Sequence, residues 1–153
     1  MLASLGYDPS MRVLAIDVGN RRIGLAISDR SCTLARPLSV LTVDGSADGV
    51  ERVAREIQRL SSEDDGIAKI VVGMPVGLDG SSTTQTANVA AFIDALKART
   101  PLPIATEDER LTSREAESRL AVSERDWRVR KTKLDAASAA IFLQDYLDRE
   151  RSG

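Results

Sequence analysis

Hydrophobic and polar positions follow two rhythms along this chain of 153 residues. Val13-Leu14-Ala15-Ile16 is apolar without a break up to Asp17, and a second apolar run, Ile23 to Ser28, follows the link Gly19-Asn20-Arg21-Arg22. Short continuous runs of this kind predict strands buried on both faces. The Gly-Asn link predicts a tight hairpin in which Gly19 takes a positive φ, and Gly24 leaves room for another backbone or a ligand. A third run, Leu38 to Val43, follows Pro37 and stops at Asp44-Gly45. With links this short, the three runs predict an antiparallel meander.

The period then becomes helical. From Ser46 to Leu60, Val50, Val53, Ala54, Ile57 and Leu60 share one face, with Glu51, Arg52, Arg55, Glu56 and Arg59 on the other. Ala68 to Val72 predicts a fourth strand, ending in the glycine-rich stretch from Gly73 to Ser82, which is long for a strand–helix link. Ser82 with Gln85 predicts a capping box for a helix to Ala98, with Ala87, Ala90, Ala91, Ile93 and Leu96 inward. Pro101 to Ala105 predicts a fifth strand, with Glu107-Asp108-Glu109-Arg110 at its end. Thr112 with Glu115 predicts a helix to about Val122, Ser123 to Thr132 a polar loop, and Thr132 with Asp135 the cap of a last helix. Leu134, Ala137, Ser138, Ile141, Phe142 and Asp145 or Tyr146 form that helix's expected inner face. The order β-β-β-α-β-α-β-α-α predicts an α/β fold: a mixed five-stranded sheet with helices on both faces.

Composition narrows the chemistry. The chain holds no histidine, which excludes His-based triads, His general bases and the usual zinc sites, leaving carboxylates, hydroxyls, Lys and Arg. The single cysteine, Cys32, permits no internal disulfide and suits a reducing cytoplasm. A net charge of −2 does not describe a generally basic nucleic-acid coat, so any such contact needs a local patch. No apolar run approaches the ~20 residues of a membrane span. Residues 1–10 read as a flexible tail without the features of a signal peptide, and 11–150 as one domain.

An ionised carboxylate at the end of a buried strand is costly unless something positive meets it. In α/β sheets the carboxyl ends of parallel strands gather ligands. If strands four and five run parallel to the first, they bring the Gly73 loop and the Glu107–Glu109 cluster to the edge where Asp17 lies. Asp135 falls about 20° from Phe142 on a helical wheel, at the margin of the apolar face. Three carboxylates from separate segments would suit magnesium or manganese, which prefer oxygen ligands, and two such ions would suit attack of water on a phosphodiester. Each also has a plainer role: Asp17 as a turn residue, Asp135 as a cap, the acidic cluster as a solvated turn. A last conspicuous stretch places Arg125, Arg128, Arg130, Lys131 and Lys133 around Trp127. The cations could hold phosphates and the indole could stack on a base, or Trp127 could anchor the loop on the core. Arg21, Arg22 and Arg110 would add backbone contacts beside the carboxylates.

Several blocks occur in one order: Asp17-Val18-Gly19 with Ile23-Gly24-Leu25-Ala26; Ala35-Arg36-Pro37-Leu38; and Val72-Gly73-Met74-Pro75 with Asp79-Gly80. Asp108-Glu109-Arg110-Leu111-Thr112-Ser113 and Lys133-Leu134-Asp135 with Ala136-Ala137-Ser138-Ala139 complete the series. From Met11 to Tyr146 the chain resembles the YqgF/RuvX family of Holliday-junction-resolvase-like proteins, described as pre-16S rRNA nucleases. The resemblance implies a ribonuclease-H-like fold and a divalent-metal-dependent endonuclease that hydrolyses phosphodiester bonds of structured nucleic acid. Its metal and catalytic carboxylates would be Asp17, Glu109 and Asp135, with Asp108 as an alternative to Glu109, holding Mg²⁺ or Mn²⁺. RuvC-type resolvases carry a further carboxylate one turn on, where this chain has Ser138. The expectation is thus a cytoplasmic nuclease, monomer or homodimer, acting in 5′-end processing of pre-16S rRNA in ribosome biogenesis. The alternatives are a DNA junction resolvase and a non-catalytic nucleic-acid-binding protein of this fold. An actin-like ATPase, whose phosphate loop also opens with Asp-x-Gly, would need two such domains.

Overall fold

A computed structural model describes residues 11–75, 83–108 and 127–152, the last segment with side chains from 136 to 150. The expected tail 1–10 and the expected helix 112–122 lie outside the described residues. Strands β1 (Arg12–Val18), β2 (Arg22–Ser28) and β3 (Ala35–Thr42) lead into helix α1 (Ser46–Ser61). Strand β4 (Ile67–Met74), helix α2 (Thr84–Lys97), strand β5 (Ile104–Asp108) and helix α3 (Trp127–Ser152) follow. The strands form one sheet in the order β3-β2-β1-β4-β5, antiparallel from β1 to β3 and parallel from β1 through β4 to β5. This is the expected mixed sheet with its meander.

Alternation along the strands divides the core. Leu14, Ile16, Ile23, Leu25, Ile70 and Val72 face α1 and α2, whose Val53, Leu60, Val89, Phe92 and Leu96 cover them. Val13, Ala15, Ala26 and Val71 face α3, which lays Ala139, Phe142, Leu143, Tyr146 and Leu147 on them. Small residues on that second sheet face let α3 come close, and Phe142 is fully buried there. A side chain of that size contributes about 1.5–3 kcal/mol by leaving water.

Local expectations shift in several places. β3 begins at Ala35 rather than Leu38, so Pro37 lies inside it. An edge strand tolerates the missing N–H, and the register jumps from Leu25↔Ser39 to Ala26↔Pro37 at that point. Gly19 does not take a positive φ; glycine there serves a close approach, because a Cβ would meet the Arg22 carbonyl oxygen at 2.6 Å. The same oxygen accepts from Gly19 N at 2.9 Å and closes the hairpin.

The capping box of α2 is Thr83 with Thr86, not Ser82 with Gln85. Thr83 Oγ1 accepts from Thr86 N at 3.2 Å, and Thr86 Oγ1 accepts from Thr83 N at 3.0 Å. Ala87, Ala90 and Ala91 are exposed, and Val89, Phe92, Ile93 and Leu96 form the buried face. β5 starts three residues later than expected and carries Glu107 within it. α3 is already helical at Trp127, so Trp127 to Thr132 is not a loop, and Thr132 with Asp135 does not open the helix. Its inner face takes in Ala136, Ala139, Leu143 and Leu147, while Asp145 is exposed.

Candidate active site

Asp17 is the sixth residue of β1 and half-buried. It pairs with Gly24 of β2, and one step beyond the Ile16↔Val72 pair its row continues to Gly73 of β4. Gly73 in turn pairs with Glu107 of β5. The row across the sheet therefore reads Gly24, Asp17, Gly73, Glu107. Alternation from Val13 and Ala15 puts the Asp17 side chain on the face that α3 covers. Both flanking glycines are buried, so neither sheet neighbour sets a side chain of its own beside that carboxylate. The carboxyl ends of the three parallel strands thus bring Asp17, the end of β4 and the acidic end of β5 to one edge.

Glu107 was expected in a cluster beyond the strand and not among the ligands. It lies in β5 at 6% exposure, and Arg149 of α3 donates Nη2 to its Oε1. The same contact raises the Arg149 guanidinium above its ordinary value. A buried carboxylate needs such a partner, so Glu107 is neutralised from within the fold. Asp108, the last residue of β5, is exposed and pairs in register with Met74; alternation puts it on the opposite face from Glu107. Glu109 and Arg110 lie outside the described residues.

Asp135 lies within α3, seven residues before the fully buried Phe142. Its side chain is outside the described residues, as are those of Trp127, Arg128, Arg130, Lys131 and Lys133, whose backbone is helical. Arg125 lies outside the described residues altogether. The middle of α3 is fixed where β3 begins. Gln144 Oε1 accepts from Ala35 N and its Nε2 donates to Thr33 O, each at 2.9 Å. Tyr146 lies under Lys69, with Nζ 4.9 Å from the ring centroid. Asp135 precedes Gln144 by nine residues, about 13 Å of helix. Asp17 lies four strand residues, again about 13 Å, from the level of Ser28, which pairs with Ala35. Ser138 is buried at 1% exposure.

Arg21 is exposed and Arg22 half-buried at the hairpin. Sequence reasoning missed Gln85, whose Nε2 donates to Val18 O at 3.2 Å and ties α2 to the residue after Asp17. Only a contact map could have shown that link, since the two residues are 67 apart. Among the described residues no three acidic side chains form a metal cluster. The donor chemistry at this edge nonetheless suits a hard divalent cation: a carboxylate oxygen at the end of β1, with the acidic end of β5 on the same edge of the sheet.

An antiparallel meander continued by parallel strands, with helices on both faces and an acid at the end of the first strand, defines a ribonuclease-H-like α/β fold. RuvC of T. thermophilus, solved in complex with a Holliday junction substrate, shares it at TM-score 0.56, with 16% identity over 94% of this chain and 96% of that one. The chain belongs to the RuvX family, described as Holliday junction resolvase, which matches residues 11–149. Two curated relatives carry the name "Putative pre-16S rRNA nuclease". The relative from Desulforudis audaxviator is 34% identical over 143 residues, covering 94% of this chain and 98% of the relative. The one from Chloroflexus aggregans is 40% identical over 144 residues, covering 92% and 95%.

Proposed function

We propose that this chain is a divalent-metal-dependent endonuclease that hydrolyses phosphodiester bonds of structured RNA, with the 5′ end of pre-16S rRNA as its substrate. The observation that carries this reading is the placement of Asp17, at the carboxyl end of β1 between Gly24 and Gly73. The names of the two curated relatives favour RNA over DNA. Asp17, Glu109 and Asp135 are the ligands in this reading, and Asp108 is the weaker substitute because its strand position faces away from Asp17. When bound, Mg²⁺ or Mn²⁺ supplies an activated water and stabilises the charge that develops on the phosphate.

The chain's own residues do the rest. Gly24 and Gly73 set no side chain of their own beside the carboxylate, and Gln85 holds the Val18 carbonyl so that the strand end stays in register. Arg149 holds Glu107 inside the fold and keeps a further negative charge from facing the incoming backbone. Arg21, Arg22 and Arg110 with the basic start of α3 (Trp127, Arg128, Arg130, Lys131 and Lys133) and Arg125 are the backbone and base contacts in this reading. No helix among the described residues is long and apolar enough to cross a membrane, in keeping with a cytoplasmic site of action.

The test is cleavage of matched substrates, a pre-16S fragment and a four-way DNA junction, with Mg²⁺, Mn²⁺ or chelator, by wild type and Asp17→Asn. Metal-dependent cleavage of the RNA by wild type alone is expected. Faster cleavage of the junction would make the protein a DNA resolvase. Tight binding of either substrate without metal-dependent cleavage would make it a binding protein of the same fold.

A further inference from the structure

On the face of the sheet opposite the Asp17 carboxylate, a cavity of about 300 Å³ opens between the β1–β2 turn, the start of α1 and one side of α2. Its floor is Ile23, Val43 and Phe92, each at 5% exposure or less. Its rim carries three carboxamides, Asn20, Gln85 and Asn88. Gln85 is fixed through its Nε2 on the Val18 carbonyl, which leaves its own side-chain oxygen to accept. The side chains of Asn20 and Asn88 are engaged by no hydrogen bond among the described residues. Gly49 lets α1 pack closely on that floor. A Cβ at Gly49 would stand 3.1 Å from Ile23 Cδ1 and 3.6 Å from Phe92 Cε2. None of the twelve lining residues is charged, in a chain of which 29% is.

An uncharged slot with an apolar floor and a rim of both donors and acceptors selects a flat, neutral ligand with hydrogen-bonding edges. Charged metabolites and isolated phosphates find no partner side chain in it. The lining begins at Val18, directly after Asp17, so the cavity opens at the strand end that carries the carboxylate, across the hairpin from it. Single-stranded RNA is read by bases that leave the stack and present their Watson–Crick edges to such groups. We infer that the cavity receives one unstacked base of the substrate strand, within a nucleotide or two of the cleaved phosphate, read by Asn20, Gln85 and Asn88. This inference rests on the nuclease reading above for its choice of ligand.

Two measurements test it separately from cleavage. The full chain is titrated with AMP, GMP, CMP and UMP while the side-chain amide signals of Asn20, Gln85 and Asn88 are followed by NMR. Those signals should move with one base more than with the others, and Ala91→Phe, which fills the slot from exposed α2, should abolish the movement. A model RNA with a single abasic position moved stepwise is then bound to the Asp17→Asn protein. One position should weaken binding about tenfold, within the range for losing one base contact, and that loss should vanish in Asn88→Leu, an exposed position that survives substitution. Amide signals indifferent to all four nucleotides, or an abasic scan that is flat, overturns the inference. If cleavage is never observed but the amides respond, the nuclease reading fails and the base site stands. If cleavage proceeds while the scan is flat and Ala91→Phe binds RNA like wild type, the base site alone fails.

Discussion

Strand β1 carries a charge near each end, and the two ends are built differently. At its start, Arg12 is 8% exposed and its guanidinium is occupied on three sides: Nε donates to Gly66 O at 3.0 Å, and Nη2 to Glu63 Oε1 at 2.8 Å and Leu60 O at 3.4 Å. Beside it, Ser28 Oγ accepts from Val13 N at 2.8 Å and donates to Asp29 O at 3.0 Å. At its end, Asp17 is half-buried in a row whose neighbours on either side are glycines. The first arrangement closes a charge inside the fold with donors and acceptors matched, as burial demands. The second puts a charge at the end of a strand, half-buried, with no side chain from either sheet neighbour beside it. The first end serves stability, and the second is the end that the proposed function uses.

The sharpest way to break this comparison is to remove each charge in turn. Asp17→Asn keeps the shape and should lower metal-dependent cleavage about a thousandfold or more, measured as kcat/KM on the RNA fragment. Its thermal midpoint should fall by less than that of Arg12→Ala, because Asn keeps the size and part of the hydrogen-bonding capacity of the half-buried Asp17. Arg12→Ala should do the reverse. It takes the Arg12 donor from the Gly66 carbonyl and from Glu63 and Leu60, which keep only Arg59 Nη1 and Glu63 N respectively, at a cost of about 2–3 kcal/mol in chemical denaturation. Cleavage per folded molecule should be unchanged. Comparable losses of stability from both variants would show that the two ends are not divided in this way.

That division was half visible in the sequence. The apolar run from Val13 to Ile16 announces a buried strand, and its first polar residue, Asp17, marks a candidate site or the start of the turn. Arg12 gave no such signal, since its partners lie 48 to 54 residues away in α1 and just beyond it. The meander and α1 were legible because their periods are regular. β5 was placed too early because Glu107 reads as polar surface, whereas it is buried against Arg149, 42 residues away. α2 was rotated in the reading because alanine fits a buried or an exposed face equally well, and its row of exposed alanines was taken for the core. The dense charge from Arg128 to Lys133 suggests a loop, yet its backbone is helix, because Arg and Lys are good helix formers.

A smaller perturbation probes the same stapled end without removing a charge. Ser28 is 1% exposed, and Ser28→Ala removes the acceptor for the buried Val13 N–H. The expected cost is about 1–2 kcal/mol, read as a shift in the denaturant midpoint at constant slope. Cleavage should not change, because the lost bond lies at the opposite end of β1 from Asp17.

The smallest expected effect has a distinctive dependence on pH. The hydrogen bond from Arg12 holds the Glu63 carboxyl below its ordinary value of 4.5, with the nearby charges of Arg12, Arg59 and Arg36 adding to it against a modest desolvation cost. A carboxyl depressed in the folded state contributes stability that is fully present above its unfolded value and is lost as pH falls through the folded one. Glu63→Gln should therefore melt below wild type at pH 7 by less than Arg12→Ala does, because Arg12 keeps its bonds to the Gly66 and Leu60 carbonyls. The gap between Glu63→Gln and wild type should hold from pH 7 to about pH 5, then close as the buffer falls below pH 4.5 and wild-type Glu63 takes up its proton. The other depressed carboxylates, Asp29, Asp48 and Glu51, are common to both proteins and cancel in the difference. A gap that stayed constant to pH 3 would mean that Glu63 acts through packing, and that Arg12 is held by the two carbonyls alone.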